Sequence, residues 1–94
     1  MLTGKNKSKL RSMAQTRKAI VMIGKDGITD NLCESLWNAL EAHELVKVSC
    51  LKTMPMSVRE AAIECAAATN SEVVQIIGYT FVVYRKSDKN LCQL

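Results

Sequence analysis

Seven stretches of the chain repeat apolar residues with a regular period, and helical spacing alternates with extended spacing. Leu10, Met13 and Ala14 recur three and four residues apart, which predicts a first helix from a cap at Thr3 to about Gln15. Residues 19–23 form a continuous apolar run of five, short and rich in β-branched side chains, and read as a strand buried on both faces. Leu32, Leu36, Ala39, Leu40 and His43 share one face of a second helix, running from about Thr29 or Asp30 to Ala42. In residues 45–51 the positions Leu45, Lys47, Ser49 and Leu51 alternate with Val46, Val48 and Cys50, the pattern of a strand half buried and half wet. Ser57-Val58-Arg59-Glu60 is a capping box that opens a third helix to about Thr69, whose Ala61, Ala62, Cys65, Ala66 and Ala68 are small enough to pack closely on a sheet. Residues 73–77 and 80–85 read as two strands joined by Gly78-Tyr79, a two-residue connection with glycine first, as a type II′ hairpin prefers.

The order is α-β-α-β-α-β-β. Packing helices against strands in this order predicts an α/β fold, a two-layer sandwich with a mixed four-stranded sheet. A length of 94 residues suits one domain, with an ordered core of about 2–86 and a polar, loose tail at 87–94. Hydrophobic residues are 48% and charged residues 23% of the chain, which places it among globular rather than disordered sequences. No apolar run approaches the roughly 20 residues that span a bilayer, and the N-terminus has neither the apolar stretch nor the cleavage pattern of a secretory signal. A cytoplasmic location without membrane contact is expected.

Charge changes this picture. Residues 1–25 hold seven cations (Lys5, Lys7, Lys9, Arg11, Arg17, Lys18 and Lys25) and no carboxylate, whereas residues 26–94 hold six Lys or Arg against nine Asp or Glu. The net +4 is therefore a local positive region on a slightly acidic body. Such a region attracts a polyanion through its field and through counterion release, so nucleic acid is the leading partner class. A solvated basic helix is the plainer reading of the same charges.

The chemistry that the positive region adjoins is the loop Gly24-Lys25-Asp26-Gly27, between the strand at 19–23 and the helix opened by Thr29. Glycines permit backbone angles and close approaches that other residues do not. The helix start adds unpaired N–H groups and the positive end of its dipole, and Lys25 adds a charge, together a plausible anion cradle. Trp37 lies at the edge of the second helix's apolar stripe, the place of a core-rim residue rather than of a base-stacking platform. His43, near the end of that helix, is favoured there by the dipole and needs no catalytic explanation.

The cysteines, Cys33, Cys50, Cys65 and Cys92, have no metal-site spacing and sit in mostly apolar contexts, the first three within helix or strand patterns, so they are expected to be reduced, with neither zinc nor disulfide. With one histidine, no Gly-x-Ser-x-Gly, no phosphate-binding Gly-x-x-x-x-Gly-Lys-Ser/Thr and no clustered carboxylates, the sequence offers no catalytic constellation, cofactor site or small-molecule site.

Several segments together are distinctive: Leu2-Thr3-Gly4-Lys5, Leu10-Arg11-Ser12 with Ala14, Ile23-Gly24-Lys25-Asp26-Gly27 with Thr29, Ala39-Leu40-Glu41-Ala42, Glu44-Leu45-Val46-Lys47-Val48, Val74-Gln75-Ile76-Ile77-Gly78 and Val83-Tyr84-Arg85. In order and spacing, over roughly residues 2–86, they resemble the CRM domain, the chloroplast RNA splicing and ribosome maturation domain, in its stand-alone bacterial YhbY-type form. The resemblance implies a fold similar to the C-terminal domain of a bacterial translation initiation factor. It also implies association with precursor large-subunit ribosomal RNA during ribosome assembly. RNA contact would fall to Gly24, Lys25, Asp26, Gly27 and Thr29 in the loop, and to Lys5, Lys9, Arg11, Arg17 and Lys18 on the basic surface, in a protein expected to be a monomer. Asp26 stands where many relatives carry a neutral or basic residue, and Trp37 and His43 where charged or polar residues are more usual. The alternative is a protein-interaction module that docks an acidic partner through the basic helix.

Overall fold

The computed structural model describes residues 2–94, and each helix in it begins where a hydroxyl side chain can cap it. Helix α1, Gly4–Ala14, starts at Thr3, whose Oγ1 accepts from the Asn6 amide at 3.1 Å. Strand β1, Val21–Ile23, precedes α2, Asp30–His43, where the Thr29 hydroxyl accepts from the Leu32 amide at 3.1 Å. Strand β2, Leu45–Cys50, leads to α3, Val58–Thr69. The capping box there is formed: the Ser57 hydroxyl accepts from the Glu60 amide at 3.1 Å and donates to the Glu60 carboxylate at 3.2 Å. Asn70, at φ +55°, ends α3 in the left-handed region that asparagine tolerates. Strands β3, Glu72–Ile77, and β4, Thr80–Tyr84, complete the chain's regular elements.

The four strands form one mixed sheet in the order β1-β2-β4-β3, with β1 parallel to β2 and the other two pairs antiparallel. Gly78 alone of the two hairpin residues has positive φ, at +56°, which fits the expected II′ connection. On one face Val21, Ile23, Val46, Val48, Phe81 and Val83 meet Leu36 and Leu40 of α2 and Ala61, Ala62 and Cys65 of α3. On the other, Leu45, Val74, Val82 and Tyr84 meet Leu10 and Ala14 of α1.

The α/β class and the mixed four-stranded sheet are as the pattern predicts, and four details differ from it. Helix α1 covers the second face, so the expected two layers gain a partial third. Strand β2 keeps its expected alternation except at its start: Lys47 and Ser49 are partly exposed and Val46, Val48 and Cys50 are buried under α2 and α3, but Leu45 is buried under α1. Strand β1 is not buried on both faces, because it is an edge strand that α1 does not cover; Val21 and Ile23 are inside and Met22 is exposed. His43 is exposed rather than on the buried face of α2.

The fourth difference is the tail. Residues 87–94 are not loose: Cys92 is buried in the α1-side cluster and Leu94 packs against it. What holds them is Glu44, which is fully buried and sits at φ +64°, a conformation that few non-glycine residues adopt. Its amide donates to the Leu40 carbonyl at 2.8 Å, closing α2, and its carbonyl accepts from the Arg85 amide at 2.9 Å. Its carboxylate accepts from the Ser87 amide at 2.8 Å, the Cys92 amide at 2.9 Å and the Ser87 hydroxyl. Burial works against the charge, but the Ser87 hydroxyl and the Cys92, Ser87 and Leu91 amides outweigh it and take the pKa from 4.5 down to about 2. Arg85 ties the same region together from outside, pairing with Glu41 at 2.6 Å, lying 3.9 Å over the Trp37 ring and donating to the Thr69 carbonyl at 3.0 Å.

A depressed carboxyl pKa stabilises the fold above its unfolded value and ceases to do so as pH falls through the folded one. Glu44 should thus contribute on the order of 3 kcal/mol at neutral pH, by the usual conversion of pKa shift to free energy. That contribution should disappear between about pH 4.5 and pH 2. Urea unfolding of the parent and of Glu44→Gln is expected to show the variant less stable at pH 7, with the gap closing across that interval. A gap independent of pH would refute the assignment.

Candidate nucleic-acid interface

Ile23 carries the chain off the sheet edge into the loop, and the Gly27 amide closes it by donating to the Gly24 carbonyl at 3.0 Å. The two glycines then differ in kind. Gly27 is buried at φ +69°, and a Cβ there would stand 3.1 Å from Pro55 Cγ and 3.4 Å from Met56 Cε. Gly24 has no positive φ, and its Cβ would make an ordinary contact, 3.5 Å from Leu51 Cδ1. Gly27 is therefore required by the turn and by the chain that packs under it, before any ligand is considered. Lys25 and Asp26 form the exposed tip.

Thr29 is spent on the fold: its hydroxyl and carbonyl accept from the Leu32 and Cys33 amides at 3.1 and 3.0 Å. The amides of Lys25, Asp26, Ile28, Asp30 and Asn31 make no hydrogen bond among the described residues. They lie at or just before the start of α2, where the helix dipole is positive. Asp26 and Asp30 oppose that field at close range.

The cations sort into free and engaged. Lys5 and Arg11 on α1, Lys18 on the connection and Lys25 on the loop are exposed and form no ion pair among the described residues. Lys9 instead reaches the Gln93 carbonyl at 2.9 Å, and Arg17 donates to the Leu45 carbonyl at 2.9 Å, so both help hold the fold. The structure also adds two cations that the sequence reading passed over. Lys47, in the middle of β2, reaches the Arg17 carbonyl at 3.4 Å, and Lys52 lies 5.9 Å from the centre of the Tyr79 ring. Lys47 was visible as the polar member of an apolar strand; Lys52 carried no pattern. Beside Lys47 a cleft of about 470 Å³ opens between the connection after α1 and the end of α2, lined by Arg17, Lys18, Ile20, His43 and Lys47 among others.

The cleft has one histidine with no carboxylate or nucleophile in its lining. No group of three His, Cys, Asp or Glu could hold a metal ion among the described residues. The four cysteines are free thiols, and burial, with Cys33, Cys50 and Glu64 nearby, pushes Cys65 up to about 12, leaving it a poor thiolate.

The chain resembles proteins that share this fold over almost its full length. Residues 2–85 match the CRS1 / YhbY (CRM) domain. The Bacillus subtilis "Probable RNA-binding protein YqeI" is 41% identical over 90 residues, which are 96% of this chain and 94% of that protein. A Haemophilus influenzae protein named "RNA-binding protein" is 33% identical over an alignment of 97 positions that covers 99% of this chain and 94% of its own. The solution structure of the Staphylococcus aureus protein SAV1595 superposes with a TM-score of 0.82 at 43% identity, covering 96% of this chain and 94% of that one.

The unequal glycines make a test of the loop's construction. Gly27→Ala should destabilise the protein by about 1–2 kcal/mol, through the left-handed backbone and the crowding of Pro55. Gly24→Ala should change stability by less than about 0.5 kcal/mol. Chemical denaturation of both variants measures the difference, and equal costs would refute it.

Proposed function

The chain belongs to the CRS1 / YhbY (CRM) domain family, and from that premise we propose that it is a non-catalytic RNA-binding protein that joins precursor large-subunit ribosomal RNA during ribosome assembly. The observation that carries the reading is charge placement. The first 25 residues contain no carboxylate, and four of their cations, Lys5, Arg11, Lys18 and Lys25, project unpaired from a fold whose remaining chain is net negative. RNA phosphates would meet these side chains together with the free amides of the Gly24–Gly27 loop, while Gly27 and Thr29 keep the loop in shape. The relatives' names support the partner class, and the ribosomal precursor is the target that the family resemblance suggests. Neither a cofactor nor a small-molecule substrate enters the proposal, and the unit of binding is one copy of the chain.

An acidic protein docked on the basic helix would use the same charges but would survive removal of RNA. Pull-down from a lysate should therefore lose its ribosomal material on nuclease treatment; a protein partner that stays bound would favour the alternative.

Neutralising about four phosphates sets a log-log salt slope near −3 to −4 for binding to a structured ribosomal RNA fragment. Lys25→Ala is expected to make that slope shallower by about 1, and Asp26→Asn to tighten binding by removing a negative charge at the loop tip. Affinity indifferent to salt between 50 and 200 mM, the interval over which such contacts are ordinarily screened, would sink the proposal.

A further inference from the structure

Helix α1 leaves part of its face of the sheet open, and the open part is a cross-strand row. Met22 pairs with Ser49, Ser49 with Thr80, and Thr80 with Ile77, so one side chain from each of the four strands lies side by side. Strand alternation puts all four on the face opposite Val48, Phe81 and α2. At the usual strand spacing the row is about 14 Å wide. Its apolar members are largely bare: Met22 is 60% exposed and Ile77 64%. Leu51 and Tyr79, at 45% and 52%, extend the row along the rim where the Cys50 amide donates to the Tyr79 carbonyl at 2.7 Å. Behind it, against the end of α1, is a hollow of about 190 Å³ lined by Gln15, Lys47, Gln75 and Thr80 among others.

The charges around this platform identify its occupant. The segments that build it, residues 10–25, 45–56 and 73–82, contain Arg11, Arg17, Lys18, Lys25, Lys47 and Lys52, against which stand Asp26 beside Lys25 at the loop tip and Glu72 at the far end of β3. A docking face for an apolar protein segment has no need of surroundings so largely cationic. A single-stranded polyanion with flat apolar units does: phosphates follow the cations, and each base lays a face on apolar ground while its edge meets hydroxyl and amide groups. A duplex, whose base faces are stacked out of reach, would leave Met22 and Ile77 unsatisfied. We infer that the row Met22–Ser49–Thr80–Ile77 is a docking platform for unstacked nucleobases of a single-stranded or looped RNA segment. This rests on the RNA-binding reading above and assigns the bases to a surface distinct from the loop that receives phosphates.

The test uses RNA hairpins of one stem carrying either a randomised single-stranded loop or a loop of abasic nucleotides, which keeps every phosphate and removes every base. The full chain is expected to bind the first about tenfold or more tightly than the second. Met22→Ser with Ile77→Ser should abolish that preference while leaving affinity for the abasic hairpin unchanged, and Met22→Leu with Ile77→Leu should retain it. If the serine pair fails to fold by circular dichroism, the parent's comparison of the two hairpins decides alone. Equal binding of both hairpins by the parent, or an undiminished preference in a folded serine pair, overturns the platform and leaves the phosphate-binding reading standing. Failure to bind either hairpin overturns both readings. A dimer seen by sedimentation of the parent and lost in the serine pair would make the face a self-association surface and also overturn the inference.

Discussion

Three short helices have to cover the two faces of a four-stranded sheet, and they cannot do so completely. Strands of three to six residues give a sheet at most about 20 Å long and about 14 Å wide. Helices α2 and α3 together cover one face, and their small residues, Ala61, Ala62 and Cys65, let them lie close upon it. The second face has only α1, whose 11 residues extend about 16 Å and shield a strip about 10 Å wide. It spans Leu45, Val74, Val82 and Tyr84 and leaves the end of the sheet next to the glycine loop uncovered. The bare row of Met22 and Ile77 and the partial exposure of Lys47 and Ser49 follow from that shortage.

The tail adds what α1 lacks at the opposite end of the same face. Cys92 and Leu94 complete the cluster around Tyr84, and Glu44 secures them with a charge that is buried yet provided with donors. Such a carboxylate would cost several kcal/mol if left unpaired, so its retention depends on the tail being folded, and the tail's folding depends on it. The same residue ends α2, opens β2 and accepts from the amide after β4, which makes one position responsible for how four segments meet.

On the opposite rim, the residues that build the loop are distinct from those at its tip. Gly27, Pro55 and Thr29 shape the loop, whereas Lys25 and Asp26 are exposed. Among the basic residues, Arg17 is partly buried against the Leu45 carbonyl, whereas Lys9 reaches the Gln93 carbonyl from an exposed position.

Local chemistry made much of this legible in the sequence. Each helix start is encoded by a hydroxyl residue that caps its own next turn, the hairpin by a glycine able to take positive φ, and the charge asymmetry by simple order along the chain, since none of these depends on distant neighbours. Periodicity likewise marked which side chains of a strand are apolar. It does not say what covers them: the same run of residues 19–23 serves a central or an edge strand, and only the sheet order makes Met22 an exposed position. Nor does it place α1 on the face away from α2 and α3, or show that a polar tail is held by a glutamate 43 and 48 residues away. Those outcomes were decided by the tertiary structure, because buried charge and covered surface are properties of contacts between segments, and a sequence pattern records only the demand that some contact be made.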